Sequence, residues 1–199
     1  MKRIAMILAL GTLVALPAAS FAQKDHGEVG AYADYFRLSP GNTATNYVGV
    51  GGRLAFNVRP TVALEAEMNY DFARNYTTTY TTGNGAGATT SFVTSSVRPL
   101  TGLFGPKFET PGAFKVFVTG KVGFVDFSVN NSGNVTTTGA TNAVAGVGGS
   151  GTHLALYPGG GIEGFVGPIG LRAEAGDEVY LNNGANNNLR ITFGPQIRF

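Results

Sequence analysis

From Val62 to Phe72 the chain alternates without a break. Val62, Leu64, Ala66, Met68, Tyr70 and Phe72 fall on one side, and Ala63, Glu65, Glu67, Asn69 and Asp71 on the other. A period of two marks a strand whose two faces meet different surroundings. The last stretch repeats the pattern: Leu189, Ile191, Phe193, Pro195, Ile197 and Phe199 oppose Arg190, Thr192, Gly194, Gln196 and Arg198. Eight such segments can be marked: Glu28–Leu38, Asn46–Val58, Thr61–Arg74, Phe92–Phe108, Ala113–Val129, Thr152–Phe165, Pro168–Tyr180 and Asn188–Phe199. Most reach the ~9–11 residues that a tilted strand needs to cross a bilayer. No convincing helical period accompanies them.

The connections alternate in length. Long polar links follow the odd segments: Ser39–Thr45, Asn75–Ser91, Asn130–Gly151 and Leu181–Asn187. Tight turns follow the even ones: Arg59-Pro60, Glu109–Gly112 and Val166-Gly167. Antiparallel neighbours with unlike ends have the asymmetry of transmembrane barrels, short turns at one mouth and longer loops at the other. Two places resist a single phase. Arg98 and Lys107 are separated by an odd number, which places a bulge at Pro99, a residue without a ladder donor. Asp126 shares its parity with Val116, Val118, Val122 and Phe124, which asks for a rim position or a second bulge.

The first residues do not belong to this pattern. Lys2 and Arg3 precede an apolar stretch of 13 residues, Ile4 to Leu16. Pro17 and the small-residue site Ser20-Phe21-Ala22 follow. This is the layout of a secretory signal peptide, residues 1–22, with the barrel domain occupying 23–199. Lys2 and Arg3 leave with it, and the remainder carries twelve basic and twelve acidic residues. Net charge therefore gives no case for nucleic acid.

Composition narrows the class. Only 13% of the 199 residues are charged, whereas 43% are hydrophobic. Soluble domains average about 25% charged residues. The absence of Cys removes disulfides, thiolate catalysis and Cys-ligated zinc.

Face assignment separates a soluble barrel from a membrane barrel. One face gathers Asp34, Glu65, Glu67, Asp71, Glu163, Glu174 and Glu178 with Arg53, Arg98, Lys107, Lys115, Lys121, Arg172, Arg190 and Arg198. Seven acids against eight bases suit an enclosed volume in which charges must pair. The opposite face is almost free of charge, as a lipid-facing surface requires, where a central Arg or Lys costs about 2–4 kcal/mol. Aromatics gather at segment ends: Tyr35, Tyr47, Tyr70, Phe72 and Tyr180 toward the loops, and Phe56, Phe108, Phe165 and Phe199 toward the turns. They read as interfacial girdles. The expected fold is all-β, an eight-stranded antiparallel up-and-down transmembrane barrel.

Terminal Phe199, preceded at alternate positions by Ile197, Phe193 and Ile191, resembles the C-terminal signal read by the assembly machinery of bacterial outer-membrane barrels. Pro195 departs from that pattern. The chain also resembles the small eight-stranded outer-membrane proteins, such as the OmpA transmembrane domain and the OmpX and opacity proteins. Phe104-Gly105-Pro106-Lys107, Gly159-Gly160-Gly161-Ile162-Glu163 and Asn187-Asn188-Leu189-Arg190-Ile191 read like the group of porin-family outer-membrane barrel proteins. The resemblance implies an outer-membrane location in a Gram-negative-type bacterium and contact with outer-membrane lipid and lipopolysaccharide. It implies a monomer with a structural or surface-interaction role and at most a small conductance. The alternative is a small diffusion pore, in which lumen charges would set ion selectivity.

Catalytic readings fare worse. Gly159-x-Gly161-x-x-Gly164 and Gly146-x-Gly148-x-x-Gly151 match a dinucleotide fingerprint, but neither opens a helix within a βαβ unit. Glu65 and Glu67 are paired carboxylates, yet an eight-stranded barrel leaves an interior just wide enough for side chains. Salt bridges with Arg53, Lys121 or Arg172 are the expected use. Lipid A deacylases among small barrels use a His and a Ser two residues later; after His153 that position is Ala155. A soluble lipocalin-like barrel is disfavoured by the low charge, the missing Trp and the Phe199 ending. No catalytic, cofactor or metal residue is assigned. The long links are Thr-, Gly- and Asn-rich; hydrophilic loops without a ligand are the first expectation, and hydrogen bonding to glycans or a phage tip is the alternative.

Overall fold

The computed structural model describes residues 26–39, 44–82, 89–133 and 150–199. The segment expected to be a signal peptide and the middles of three long links lie outside them, including most of the Gly146–Gly151 motif. Eleven strands are found: β1 Gly27–Leu38, β2 Thr45–Arg59, β3 Val62–Asp71, β4 Arg74–Thr82, β5 Thr89–Glu109, β6 Phe114–Gly133, β7 Gly151–Val166, β8 Ile169–Asp177, β9 Val179–Leu181, β10 Ala185–Asn186 and β11 Leu189–Arg198.

Eight of them close a ring, in the order β1-β2-β3-β5-β6-β7-β8-β11. β1 and β11 form the seam, from Glu28 opposite Arg198 to Arg37 opposite Leu189. All pairings are antiparallel, so the fold is the expected eight-stranded barrel. Closure leaves no ring strand with an open edge, which is what a bilayer interior demands. The three remaining strands extend the loop mouth. β4 lies on β5, and β9 and β10 form a small hairpin beside β7.

The turn mouth is tight. Val166 pairs with Ile169 across two residues. Gly167, the first of them, has φ +64°, the backbone that primed hairpin turns require and that glycine takes without strain.

Two breaks have proline causes. Pro158 falls where the β7 ladder would meet Asp177, and having no N–H it cannot donate there. The run Ile169–Leu181 is accordingly divided into β8 and β9 without a change of register. The second break corrects the sequence reading. β5 keeps one register against β6 from Val93 to Glu109, so Pro99 carries no bulge. The slip lies across the ladder. β3 pairs with β5 as Tyr70 opposite Leu100, whereas β4 pairs one residue out of step, as Arg74 opposite Val97. The extra residue is accommodated at Phe72-Ala73, opposite Arg98-Pro99, where the missing proline donor has no partner to lose. With no bulge of its own, β5 turns Lys107 inward and leaves Arg98 exposed on the outer wall.

The outside of the ring is apolar over most of its height. Val50, Leu54, Phe56, Leu64, Met68, Phe104, Val118, Val122, Leu156, Ile162, Leu171 and Phe193 are all exposed. The charged outward positions of the described ring strands are Arg37, Arg98, Asp126 and Asp177 at loop ends and, past an irregularity in β2, Arg59 opposite Val62 at a turn end. Asp126 takes the rim position, where its Oδ1 accepts a 2.6 Å hydrogen bond from Thr152. This is the reverse of a soluble barrel, which hides its apolar face.

Candidate functional site: the charged barrel interior

Each ring strand sends alternate residues inward, and the ring is narrow. Inward glycines make room for the largest side chains. A Cβ at Gly161 would stand 2.7 Å from the Phe117 ring, and one at Gly159 equally close to Tyr157. The glycine pattern in β7 therefore serves packing, and lies within a strand where no nucleotide fingerprint operates.

Among the described residues, nine acidic and six basic side chains are buried inside. They form three tiers. Nearest the turns, Lys107 Nζ stands 2.7 Å from Glu109, 3.1 Å from Glu163 and 3.3 Å from Glu28. Lys115 bonds Glu109 and lies 3.5 Å from Glu163. Carboxylate oxygens of Glu28, Glu109 and Glu163 come within 4.8 Å of one another, a spacing that would suit a metal ion. The two ammonium groups already supply the counter-charge there.

The middle tier is the densest. Arg172 reaches Glu65 at 2.5 Å and Glu174 at 2.6 Å, with its guanidinium 3.9 Å from the Phe117 ring centre. Lys121 stands 2.8 Å from both Glu67 and Glu174. Arg53 bridges the same two carboxylates at 3.0 and 2.9 Å and lies over Tyr32. Glu65 and Glu67 are thus saturated by cations and closed to solvent, which leaves neither of them available as an acid or base toward a substrate.

Toward the loops, Arg190 is the one cation of the described residues among three carboxylates. It bonds Asp34, lies 2.6 Å from Glu178 and 3.3 Å from Asp71, and donates to Thr101 Oγ1 at 3.2 Å. Above it the interior turns apolar: Phe36, Leu38, Tyr47, Val97, Phe127 and Tyr180 pack into one cluster.

Several sequence expectations move. Arg98 leaves the interior and donates to the Tyr70 hydroxyl at 3.2 Å on the outer wall. Arg198 stops at the turn rim, where its Nε donates to the Gly167 carbonyl at 3.0 Å. Glu28 and Glu109 join the interior. The near-match of seven acids and eight bases becomes an acidic excess. Tyr47, Phe165 and Tyr180, taken for girdle residues, are inside. Their signal was present: each shares parity with an interior charge, Arg53, Glu163 and Glu178 respectively. Tyr70, Phe72, Phe56, Phe108 and Phe199 do face outward. His153 packs against the Phe127 and Tyr180 rings at 6.0 and 5.8 Å, while Ser150 Oγ bonds the Val129 backbone. Of the terminal residues, Ile191, Phe193, Ile197 and Phe199 all lie on the outer wall. Phe199 also closes the seam, its carbonyl accepting from His26 N at 2.9 Å and Gly27 N at 3.0 Å.

No family model matches the chain, and no curated protein matches it. Solved structures do. Ail, the attachment invasion locus protein of Yersinia pestis, solved with the heparin analogue sucrose octasulfate, is 9% identical, with a TM-score of 0.58. The match covers 89% of this chain and all of Ail. Neisserial surface protein A is 11% identical, with a TM-score of 0.53 over 87% of this chain and 97% of that one. At such identities the likeness speaks for the fold: this chain is a closed, eight-stranded antiparallel β-barrel of the architecture that Ail and Neisserial surface protein A share.

Proposed function

We propose that the protein is an integral barrel of a bacterial outer membrane, exported by a cleaved signal peptide at residues 1–22. Its role is structural and surface-interactive rather than enzymatic. One observation carries this reading: apolar outer wall and ionised interior are inverted relative to a soluble barrel. The wall suits hydrocarbon, and the three tiers of ion pairs with the aromatic cluster above them fill the lumen.

The partners follow from the outer surface. Arg37, Arg74 and Arg98 stand at the loop side, above the apolar band, with Tyr35 and Tyr70 beside them. Asn46 links them: it accepts from Tyr35 through Oδ1 and from Arg74 through its carbonyl, both at 3.0 Å. Guanidinium groups at that level suit the phosphates of lipopolysaccharide. Glycan contact through the loops draws support from the sulfated ligand of Ail. Ile191, Phe193, Ile197 and Phe199 would present the signal to the barrel-assembly machinery.

Single-channel recording of the refolded barrel in a planar bilayer tests the role. A silent membrane with insertion confirmed is expected. Discrete, long-lived openings would instead favour the diffusion pore, and the acidic excess of the interior predicts that such a pore prefers cations. Recovery of the protein in the periplasmic supernatant would end the membrane reading altogether.

A further inference from the structure

The ring leaves no edge open, but among the described residues β4 does. Among the described residues it pairs with β5 alone, from Arg74 opposite Val97 to Thr82 opposite Thr89. Near its start Arg74 Nε reaches the Asn46 carbonyl and the Tyr76 hydroxyl reaches that of Tyr47 at 2.9 Å, contacts made by β4 side chains and not by its backbone edge. From Thr77 to Thr82 no described strand lies on its other side. Six residues of strand present roughly 20 Å of unpaired backbone.

Exposed edges are ordinarily guarded by Lys, Pro, a bulge or a short length. Asn75 to Thr82, in sequence Asn-Tyr-Thr-Thr-Thr-Tyr-Thr-Thr, contains no charge, no Pro and no Gly. Thr and Tyr are also strong strand formers. The edge is therefore built to accept another strand rather than to repel one.

The sequence of that edge says which strand. Tyr76-Thr77-Thr78-Thr79-Tyr80 is a palindrome. An antiparallel pairing centred on Thr78 sets Tyr76 opposite Tyr80, Thr77 opposite Thr79, and Thr78 opposite its own copy. Aromatic pairs and Thr–Thr pairs are both favourable across strands. We infer that β4 pairs with β4 of a second copy of this chain.

The geometry fixes where that copy sits. β5 runs in one register from the hairpin into the ring, so β4 keeps the ring's strand direction. Ring strands tilt about 35–45° from the barrel axis. Antiparallel strands at that tilt hold the two barrel axes pointing in opposing directions, at least about 90° apart. Two copies in one membrane have parallel axes and cannot pair this way. The partner belongs to a facing membrane, and the contact joins two membranes through identical hairpins. It departs from the monomer expected from sequence.

The inference rests on the outer-membrane barrel reading, and vesicles separate the two. Two populations of phosphatidylcholine vesicles carry the refolded protein under different dyes. Wild-type vesicles are expected to cluster. Thr78→Lys vesicles should not cluster with one another, nor Thr78→Glu with one another, because like charges meet at the two-fold position. Mixing the lysine population with the glutamate population should restore clustering. The chain has no cysteine, so Thr78→Cys should oxidise to a dimer between vesicles, while Thr82→Cys, far from its own copy, should not. Equal clustering by all variants, or Thr78→Cys dimers formed within isolated vesicles, overturns the inference. Loss of heat-modifiable gel migration in the wild type would overturn the barrel reading and this one with it.

Discussion

Arg190 is the side chain on which the loop-side interior depends. It is fully buried and, among the described residues, is the one cation that pairs with Asp34, Asp71 and Glu178. Replacing it by Met strands three buried carboxylates. Breaking a buried pair typically costs about 3–5 kcal/mol, and Arg190→Met should lose that much or more in urea unfolding of the refolded barrel. Arg98→Ala, which removes an exposed guanidinium from the Tyr70 ring, should cost no more than about 1 kcal/mol by the same measurement. The sequence placed these two arginines on one face. Parity alone gave Arg190 correctly, because its segment has no irregularity. Arg98 sits at a loop end, where an outward charge costs only about 0–1 kcal/mol, so energetics did not forbid either face. Tyr47, Phe165 and Tyr180 lie near strand ends, where girdle rings are expected, but parity decides which side of the wall a ring occupies and turns all three inward.

The slip at Phe72-Ala73 belongs to the element scale. Deleting Ala73 would remove the surplus residue and join β3 to β4 in a single register, with every cross-strand partner of β5 retained. The heat-modified folded fraction should be close to that of the wild type. Deleting Asn69 instead moves the β3 residues on one side of the gap to the opposite face, sending inward positions such as Glu65 and Glu67 toward lipid if the upper half holds its register. The folded band should then be lost. The odd separation of Arg98 and Lys107 needs no slip at all, because Arg98 faces outward; the slip between β3 and β4 shows only in the pairing. Proline has no donor in either case; only the pairing reveals that its neighbour absorbs the mismatch. The last strand permits a second measurement. Phe199→Ala should refold in detergent nearly as well as the wild type, since Phe199 is exposed and its seam bonds use backbone. In cells the assembled fraction should fall if the terminal residues present the proposed assembly signal. A parallel loss in both settings would make Phe199 a packing residue only.

For the whole molecule, strand number, antiparallel order and the long-short alternation of connections were all legible, because a closed barrel repeats the same constraint on every strand. The interior was legible as a class but not as a circuit. Which acid meets which base depends on the relative height of strands around the ring, and alternation along one strand carries no information about height. Glu28 and Glu109 were missed as members, and with them the acidic surplus.

The seam between β1 and β11 also sets an order in time. The strand made first cannot acquire its second neighbour until the strand made last has arrived. Before then the growing sheet has two raw margins, and in hydrocarbon each unpaired backbone group on them costs several kcal/mol. A partly built ring has nowhere to rest inside the bilayer, so its strands must be sheltered until the final residues are in hand. Arrival of β11, the strand that closes the ring, thereby acts as permission to begin insertion, and a chain cut short of Leu189 should wait indefinitely outside the membrane.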